Sequence, residues 1–317
     1  MKDKIVIGTR GSRLALWQAH FVVGQLKIAF PAVAFKVKII ETVGDAVLDT
    51  ALSKIGDKGL FTKQIEEELI AGTIDLAIHS LKDLPTTLPD NLKIGAVTTR
   101  ETPNDALIAK NFSSLDDLPL NAKVATGSLR RRSQLLNYRR DLQIFEIRGN
   151  VPTRIKKFEE SDLDAMILAF AGVHRLKLDS YIKQIVPTEI MLPAVAQGVI
   201  GIEIRENDAE IEELLAPVNN RDSWDCITAE RSFLRSLEGG CQVPIGGFAV
   251  LEADEIYLSG FTGSLDGEVA LRESIRGNRA DAFRLGRELG KRMIEKGANR
   301  LLEFTRNVVE NTPETVI

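Results

Sequence analysis

The sequence predicts an α/β protein built from two related lobes, with a small α+β domain at its C-terminal end. Its 317 residues suit two domains of the usual ~150 residues, or three smaller ones. Up to about residue 217, short β-like runs alternate with helical patterns, which is typical of α/β folds. The same alternation occurs twice along the chain, and this repetition predicts two lobes rather than one.

The first lobe is predicted from three strand-like runs and two helical patterns. The strands are expected at residues 4–9, 35–42 and 74–79. Ser12 is suited to cap a helix after the first strand, because its hydroxyl can accept a bond from an unpaired backbone N–H. A second, amphipathic helix is expected between Gly59 and Gly72.

The second lobe repeats this order. Strands are expected at residues 123–126, 142–147 and 164–170, and helices at 129–137, after Ser128 as a possible cap, and at 153–160. Two local echoes link the lobes: VIGTRGS at 6–12 resembles VATGS at 124–128, and IDLAI at 74–78 resembles LDAMI at 163–167. Because the two echoes occur in the same order, they favour lobes of common design.

Two segments are predicted to carry the chain from one lobe to the other: residues 98–104, which are polar, and residues 187–198, which hold Pro193 and Gly198. After the second, a strand-like run at 199–204 and an acidic helical segment are expected to return to the first lobe. The predicted division is residues 1–98 with 199–217 for the first lobe, 104–192 for the second and 221–317 for the C-terminal domain. A hinge of two crossings is typical of bilobal, periplasmic-binding-protein-like folds.

The pattern of the C-terminal domain differs from that of the lobes. A helix is expected from residue 222 or 223 to about Leu237, followed by three β-like runs joined by hairpin turns and a long helix. These runs lie at residues 247–252, 255–261 and 268–275, and the long helix at 279–296. This order predicts a small α+β domain.

Composition and charge exclude several classes of protein. Lys and Arg number 41 against 45 Asp and Glu, so the formal net charge is −4, unlike the strongly basic domains of general nucleic-acid binders. No uncharged stretch exceeds thirteen residues, fewer than the ~20 needed to span a bilayer. We expect a cytoplasmic protein, because no apolar signal segment follows the first residues. Two cysteines outside any CxxC pair and three histidines argue against a metal site.

Basic residues concentrate in the second lobe, although the whole chain is slightly acidic. Residues 123–154 hold eight of them against two acidic residues, and seven of the eight are arginine. Arginine suits bidentate contacts to carboxylate or phosphate, so the segment predicts a site for a small polyanion. The pair at 139–140 is interpreted as a solvated helix face. Four arginines are predicted to contact the anion: Arg130, Arg131, Arg148 and Arg154.

Two further segments carry candidate reactive groups. Asp83, beside Lys82, follows a predicted buried strand, where α/β proteins commonly place functional side chains. A carboxylate there can stabilise a cationic intermediate or simply cap the turn before Pro85, and the segment alone favours the cap. Cys241 lies on a glycine-rich turn that can display its thiol for covalent attachment, but the residues alone favour a structural thiol. Cys226 falls on the apolar face of a helix and is expected to be buried.

Seven motifs, in one order, resemble the porphobilinogen deaminase family, also called hydroxymethylbilane synthases. They are GTRGSRLALWQA at 8–19, KGLF at 58–61, HSLKDLP at 79–85, GSLRR at 127–131, RGNV at 148–151, LPAVAQG at 192–198 and EGGCQVP at 238–244. Each motif is weak alone, but the ordered set is specific. It runs from residue 5 to about 250, and the final sixty or so residues match in layout rather than in motif.

The resemblance implies a transferase of tetrapyrrole and haem biosynthesis. Such an enzyme condenses four molecules of porphobilinogen head to tail, releases ammonia and gives the linear tetrapyrrole hydroxymethylbilane. A dipyrromethane cofactor, thioether-linked to the cysteine that matches Cys241, primes the chain. The aspartate that matches Asp83 stabilises the positive charge on the pyrrole nitrogen as ammonia leaves.

The resemblance also assigns the binding residues. It implies Lys82, Thr126, Ser128, Arg130 and Arg131 for the cofactor, and Arg10, Ser12, Arg148, Arg154 and Arg175 for the substrate carboxylates. Lys54 and Lys58 fall in the family's lid-like segment, here residues 46–58. No metal is implied. A monomer is expected, with no nucleic-acid, membrane or obligate protein partner.

Three positions depart from the family's common pattern. Ala196 stands where glycine is usual, and Pro152 stands where glycine is frequent. Both are expected to affect the flexibility of the hinge and of one helix start rather than the chemistry. Arg13 is interpreted as a surface residue.

Two other functions fit parts of the sequence. A non-enzymatic bilobal protein that binds a dicarboxylate or oxyanion would explain the lobes and the arginines, but it gives Cys241 no role. A cysteine-dependent transferase with an acyl intermediate would need a base near Cys241, and the neighbouring sequence offers none.

Overall fold

The computed structural model describes residues 2–46, 59–237 and 243–311, with backbone alone at 45–46 and 308–311. Lys54, Lys58 and Cys241 therefore lie outside the described residues. The strands are β1 Lys4–Thr9, β2 Ala34–Ile39, β3 Leu76–Ser80, β4 Leu92–Val97, β5 Asp105–Ala109, β6 Lys123–Ala125, β7 Gln143–Phe145, β8 Ala165–Ala169, β9 Ile182–Ile185, β10 Ile200–Arg205, β11 Ile245–Glu252, β12 Glu255–Gly263 and β13 Ala270–Asn278. The helices are α1 Arg13–Ala29, α2 Val43–Ala46, α3 Lys63–Ile70, α4 Leu129–Tyr138, α5 Val151–Glu159, α6 Phe170–Arg175, α7 Ala209–Leu215, α8 Arg221–Ser236, α9 Ala282–Glu295 and α10 Ala298–Asn311.

Two five-stranded sheets share one topology. The first has the order β2-β1-β3-β10-β4, in which β1 runs parallel to β2 and β3, and β10 runs antiparallel between β3 and β4. The second has the order β7-β6-β8-β5-β9, with β6 parallel to β7 and β8, and β5 antiparallel between β8 and β9. The predicted α/β fold with two related sheets is confirmed.

The antiparallel strand of each sheet comes from a crossing of the chain. β5 follows the polar segment 98–104 and enters the second sheet, whereas β10 follows 187–198 and returns to the first. The predicted strand at 199–204 is therefore confirmed as β10. A third sheet, β11-β12-β13, is a three-stranded antiparallel meander and confirms the predicted strands of the C-terminal region.

The second of the two sequence echoes has a structural explanation. In the first sheet, the Val6 amide donates to Asp75 Oδ2 at 2.7 Å, and the Asp75 amide donates to the Val6 carbonyl at 2.7 Å. In the second sheet, the Lys123 amide donates to Asp164 Oδ2 at 2.8 Å, and the Asp164 amide donates to the Lys123 carbonyl at 2.9 Å. Each aspartate thus connects the start of the strand that follows it to the neighbouring parallel strand through hydrogen bonds. Asp75 connects β3 to β1, and Asp164 connects β8 to β6.

The predicted starts of three helices agree with the structure to different degrees. Ser12 caps α1 as predicted, since its Oγ accepts from the Ala15 amide at 3.2 Å. Ser128 stands at the start of α4, but its side chain makes no capping bond, so that part of the prediction is wrong. Helix α5 begins two residues earlier than predicted, because Asn150 caps it through the Thr153 amide at 3.1 Å. Pro152 fits in its first turn, where a missing N–H costs nothing.

The described residues form two compact units. The first comprises residues 2–46, 59–101 and 198–224, and the second comprises 102–197 and 225–311. The first unit contains the first five-stranded sheet, while the second contains both the other five-stranded sheet and the three-stranded meander. The finer division into three domains stays a prediction.

Each unit is organised around apolar clusters on its sheets. In the first, α1 and α7 cover one face of the sheet, and Ile65 and Leu69 of α3 pack on the other. In the second, the meander packs under α8, α9 and α10 around Phe233. Cys226 is buried in that cluster, as predicted. No helix among the described residues is long and apolar enough to cross a membrane.

Candidate active site

The candidate side chains of the first unit follow the carboxyl ends of its parallel strands. Arg10 and Ser12 come directly after β1, and Lys82 and Asp83 come directly after β3. Because β1 and β3 are parallel neighbours, these residues lie at one edge of the sheet, the usual place for functional groups in α/β folds. The structure therefore brings four of the predicted site residues to one edge of the sheet in the first unit.

Asp83 ends a short 3-10 turn formed by Leu81–Asp83. The turn is anchored by the buried Leu81 side chain and by the Leu81 amide, which donates to the Val199 carbonyl at 3.0 Å. The Asp83 carboxylate is partly exposed, and within the described part of the chain it has no hydrogen-bond or ion-pair partner. It accepts no backbone N–H there, so the described contacts give no support to a capping role.

Arg10 and Ser12 are both held by local contacts. The Arg10 guanidinium lies over the Phe61 ring, 4.1 Å from its centroid, a cation–π geometry that orients the planar group. The Ser12 hydroxyl accepts the capping bond of α1 and keeps its own hydrogen for a further acceptor. Arg13 is exposed, as predicted.

In the second unit, Arg130 and Arg131 share one buried carboxylate. Arg130 Nη1 donates to Asp105 Oδ2 at 2.7 Å and to the Leu192 carbonyl at 2.7 Å. Arg131 donates to Asp105 Oδ1 from Nε at 3.1 Å and from Nη2 at 2.8 Å, and its Nη1 donates to the Ile167 carbonyl at 3.1 Å. All three charged side chains are buried. Each nitrogen of Arg131 is therefore already engaged by the protein.

Electrostatics explain why this buried cluster suits an anion. Burial by itself would raise the pKa of Asp105, but the guanidinium groups of Arg130 and Arg131 outweigh it and hold that pKa well below its usual value. Two positive charges then face one negative charge, which leaves the cluster with a net charge of about +1. A carboxylate ligand near α4 would balance that charge.

Sequence reasoning missed Asp105. Its signal was a single charged residue at the start of the otherwise apolar strand β5, DALIA, next to the first crossing. Gln197, from the LPAVAQG motif within the second crossing, donates through Nε2 to Asp105 Oδ1 at 3.0 Å and to the Pro103 carbonyl at 2.6 Å. Asp105 thus joins α4 to residues at the edges of both crossings.

The remaining candidates of the second unit lie around the starts of α4 and α5 and at the end of α6. Thr126 is buried, and its Oγ1 accepts from the Ser128 amide at 3.2 Å. The Ser128 hydroxyl has no partner among the described residues. Arg154 donates from Nε to the Gly149 carbonyl at 2.7 Å. Arg148 is half-buried one residue before that glycine, and Arg175 is buried in the last turn of α6.

This donor set fits a dipyrromethane, whose side chains are carboxylates. The second unit offers a buried guanidinium pair with uncompensated charge, a hydroxyl at Ser128 and further arginines beyond β7 and β8. Across the described ranges, no group of three or more His, Cys, Asp or Glu side chains is arranged to hold a metal ion.

Comparison with known proteins identifies the family. The family model described as "Porphobilinogen deaminase, dipyromethane cofactor binding domain" matches residues 5–213, and "Porphobilinogen deaminase, C-terminal domain" matches residues 224–295. The chain belongs to the porphobilinogen deaminase family. The resemblance stated from the motifs is thereby confirmed, as is the expected dipyrromethane cofactor.

Individual porphobilinogen deaminases match this chain over nearly its whole length. Porphobilinogen deaminase of Chlorobium phaeobacteroides (strain BS1) is 50% identical over 310 residues, covering 96% of this chain and 99% of that protein. The enzyme of Pelotomaculum thermopropionicum is 48% identical over 306 residues, covering 96% and 98%. Among solved structures, the methionine-binding protein MetQ is 12% identical with a TM-score of 0.43, covering 70% of this chain and 93% of that one, a likeness too slight to carry an argument.

Family membership changes the weight of the alternatives. Because the relatives are enzymes named for porphobilinogen, membership of this family argues against a non-enzymatic binding protein and against an acyl transferase. The individual roles of the candidate residues stay predictions.

Ala196, which departs from the family's common glycine, has a left-handed backbone. Its φ is +60°, a conformation that glycine adopts without steric cost, and its side chain is fully buried. The Ala196 amide donates to Glu230 Oε2 at 2.7 Å, and this buried contact helps to hold the conformation. The backbone of the second crossing is thus held at Ala196 by a local contact, and the effect of this residue on hinge flexibility stays a prediction.

Proposed function

We propose that this chain condenses four molecules of porphobilinogen head to tail into hydroxymethylbilane, with release of ammonia. The observation that carries the proposal is the match to both porphobilinogen deaminase domains, over residues 5–213 and 224–295. A likeness of about half the residues over nearly the full length of the relatives supports the same reaction rather than the fold alone.

We assign the central electrostatic role to Asp83. A carboxylate without a competing partner among the described residues can face the positive charge that develops on the substrate's pyrrole nitrogen as ammonia departs. The rigid turn after β3 keeps it in place, so little reorganisation is needed when the charge appears. Lys82, its neighbour, is proposed as a contact to a carboxylate.

The arginines are proposed to hold the acetate and propionate groups. Each pyrrole carries both groups, and planar guanidinium groups bind carboxylates through paired hydrogen bonds. Arg130 and Arg131, with Thr126 and Ser128, are proposed for the cofactor. Substrate carboxylates are proposed for Arg10, Ser12, Arg148, Arg154 and Arg175, with Lys54 and Lys58 in a covering segment.

Cys241 is proposed to hold the dipyrromethane through a thioether. When bound, the dipyrromethane supplies the pyrrole carbon to which the first substrate unit is joined. A carbon–sulfur bond keeps the growing product on the protein while the arginines bind its carboxylates. We further propose that the protein acts as a monomer in the cytoplasm.

A turnover assay tests the proposed reaction. The purified chain is incubated with porphobilinogen, and ammonia and hydroxymethylbilane are measured together. We expect one ammonia for each porphobilinogen consumed and one hydroxymethylbilane for every four. Binding of porphobilinogen without release of ammonia would instead support a binding protein.

A further inference from the structure

A buried polar cluster in the first unit has no part in the chemistry proposed above. It consists of His79 on β3, Glu203 on β10 and Thr62 with Glu66 at the start of α3, and all four side chains are buried. His79 Nε2 lies 3.0 Å from Glu203 Oε2, so an imidazole N–H can donate to that carboxylate. Buried ionisable groups of this kind are rare in apolar surroundings unless they are paired.

The strand register explains why these residues meet. In the antiparallel pair of β3 and β10, Gly201 lies opposite His79 and Glu203 lies opposite Ala77. Residues 77, 79, 201 and 203 therefore share one face of the sheet. Ile65 and Leu69 of α3 pack with Ala77, so α3 covers that face and brings Glu66 to it.

Three polar atoms of the cluster have no partner among the described residues. They are Thr62 Oγ1, Glu66 Oε1 and Glu203 Oε1. Two of them belong to carboxylates buried between α3 and the same face of the sheet, and two ionised carboxylates in one apolar site repel strongly. A proton on one carboxyl removes the repulsion and turns one acceptor into a donor.

We propose that the Glu66–Glu203 pair holds a single proton, carried by Glu66, and that His79 and Glu203 are positioning residues for the turn that bears Lys82 and Asp83. The second half of this statement rests on the proposed function. Glu66 is the better site for the proton because Glu203 is already paired with His79. Burial raises the pKa of Glu66 and Glu203 raises it further, whereas His79 opposes the shift.

The route from the cluster to the turn is short. Only Ser80 and Leu81 separate His79 from Lys82. The Ser80 hydroxyl accepts from Gln18 Nε2 at 2.9 Å on the other face, and the Leu81 amide donates to the Val199 carbonyl at 3.0 Å. The contact of His79 with Glu203 adds a third fixed point, so the end of β3 is held from both faces.

The groups that face Glu66 come from each element packed on α3. They are His79 from β3, Glu203 from β10 and Glu67 on α3 itself, while β1 contributes the apolar Val6. A carboxyl with a raised pKa keeps its proton in the folded state after the unfolded chain has lost it. The folded state is therefore destabilised as pH rises from the unfolded pKa towards the folded one.

Infrared spectroscopy locates the proton without reference to activity. At neutral pH we expect the wild-type chain to show the carbonyl band of a protonated carboxyl, which Glu66→Gln lacks and the control Glu67→Gln retains. Glu67 is an exposed neighbour on the same helix. Absence of the band from the wild-type chain, or its persistence in Glu66→Gln, overturns the inference.

Thermal unfolding and kinetics test the rest. The melting temperature of Glu66→Gln relative to wild type should rise as pH increases above the ordinary pKa of a glutamate, because glutamine mimics the neutral acid. With porphobilinogen, Glu66→Gln should keep kcat within about twofold, whereas Glu203→Gln should lower kcat per folded enzyme about tenfold with little change in KM. Equal losses of kcat in the two variants would contradict the assignment. A chain with the infrared band but no turnover would contradict the proposed function and leave the proton on Glu66.

Discussion

At the scale of single residues, two aspartates lie in opposite environments. Asp83 is partly exposed and has no partner in the described part of the chain, whereas Asp105 is fully buried between two guanidinium groups. The sequence pointed to Asp83, because the end of a buried strand is a local signal. It did not point to Asp105, because a contact with Arg130 and Arg131, some 25 residues away, exists only in the folded chain.

Replacement of Asp83 by asparagine separates charge from shape. The variant keeps the size of the side chain and loses the negative charge proposed to stabilise the cationic pyrrole. We expect turnover to fall about a hundredfold or more, as for other pre-organised electrostatic groups. The melting temperature should stay near the wild-type value, since the carboxylate makes no described contact. Full activity in this variant would remove Asp83 from the mechanism.

Replacement of Asp105 by asparagine should have the opposite signature. Two buried guanidinium groups would lose their counter-charge, and breaking such a pair costs about 3–5 kcal/mol. Urea unfolding at neutral pH measures this loss, and Asp117→Asn, at an exposed aspartate, is the matched control. An unchanged free energy of unfolding in Asp105→Asn would contradict the electrostatic account of the cluster.

The pH dependence of the same pair follows from the lowered pKa of Asp105. Its ionised form stabilises the fold above the pKa of the unfolded chain, near 3.8, and this stabilisation is lost as pH falls towards the folded pKa. The difference in stability between wild type and Asp105→Asn should therefore be largest at neutral pH and shrink in acid.

At the scale of elements, the sequence predicted what local signals determine. Ser12 marks the start of α1, and the alternating runs mark most strands, since each signal depends on neighbouring residues. The start of α5 was placed two residues late because the capping role of Asn150 was overlooked. Helix α10 was not predicted, although Gly297, with φ of +97°, separates it from α9.

The two crossing segments meet at a glycine that tolerates no side chain. Gly198 has φ of +89°, and a Cβ atom there would lie 2.3 Å from the Glu101 carbonyl oxygen. The Glu101 amide donates back to the Gly198 carbonyl at 3.1 Å, so neither backbone can move away without losing this bond. The glycine is thus required by both its conformation and its close contact.

Alanine substitutions distinguish these two requirements. Gly198→Ala should lower the free energy of unfolding by about 3 kcal/mol or more, because strain and a backbone clash add. Gly72→Ala is the matched control, since Gly72 has φ of +71° but open space around its Cα, and it should cost about 1 kcal/mol. Urea unfolding of both variants checks the difference. Equal costs would show that the clash is relieved by local movement.

At the scale of the whole molecule, the repeated topology and the family were both accessible from sequence. Two echoes and the alternation of elements predicted two related sheets, and the ordered motifs predicted the porphobilinogen deaminase family. The distribution of charge was only partly accessible. The arginine-rich segment was visible in the sequence despite the net charge of −4. The ion pairs of Arg130 and Arg131 with the buried Asp105 could not be predicted from sequence and are seen only in the structure.

The role of Cys241 lies at the centre of the functional account, and the mass of the intact protein tests it directly. Purified wild-type chain should be heavier than its sequence by two linked pyrrole units. Cys241→Ser should have the bare sequence mass, whereas the control Cys226→Ser, at the buried cysteine of α8, should keep the added mass. Active wild-type protein at bare sequence mass, or Cys241→Ser with the added mass, would contradict the account.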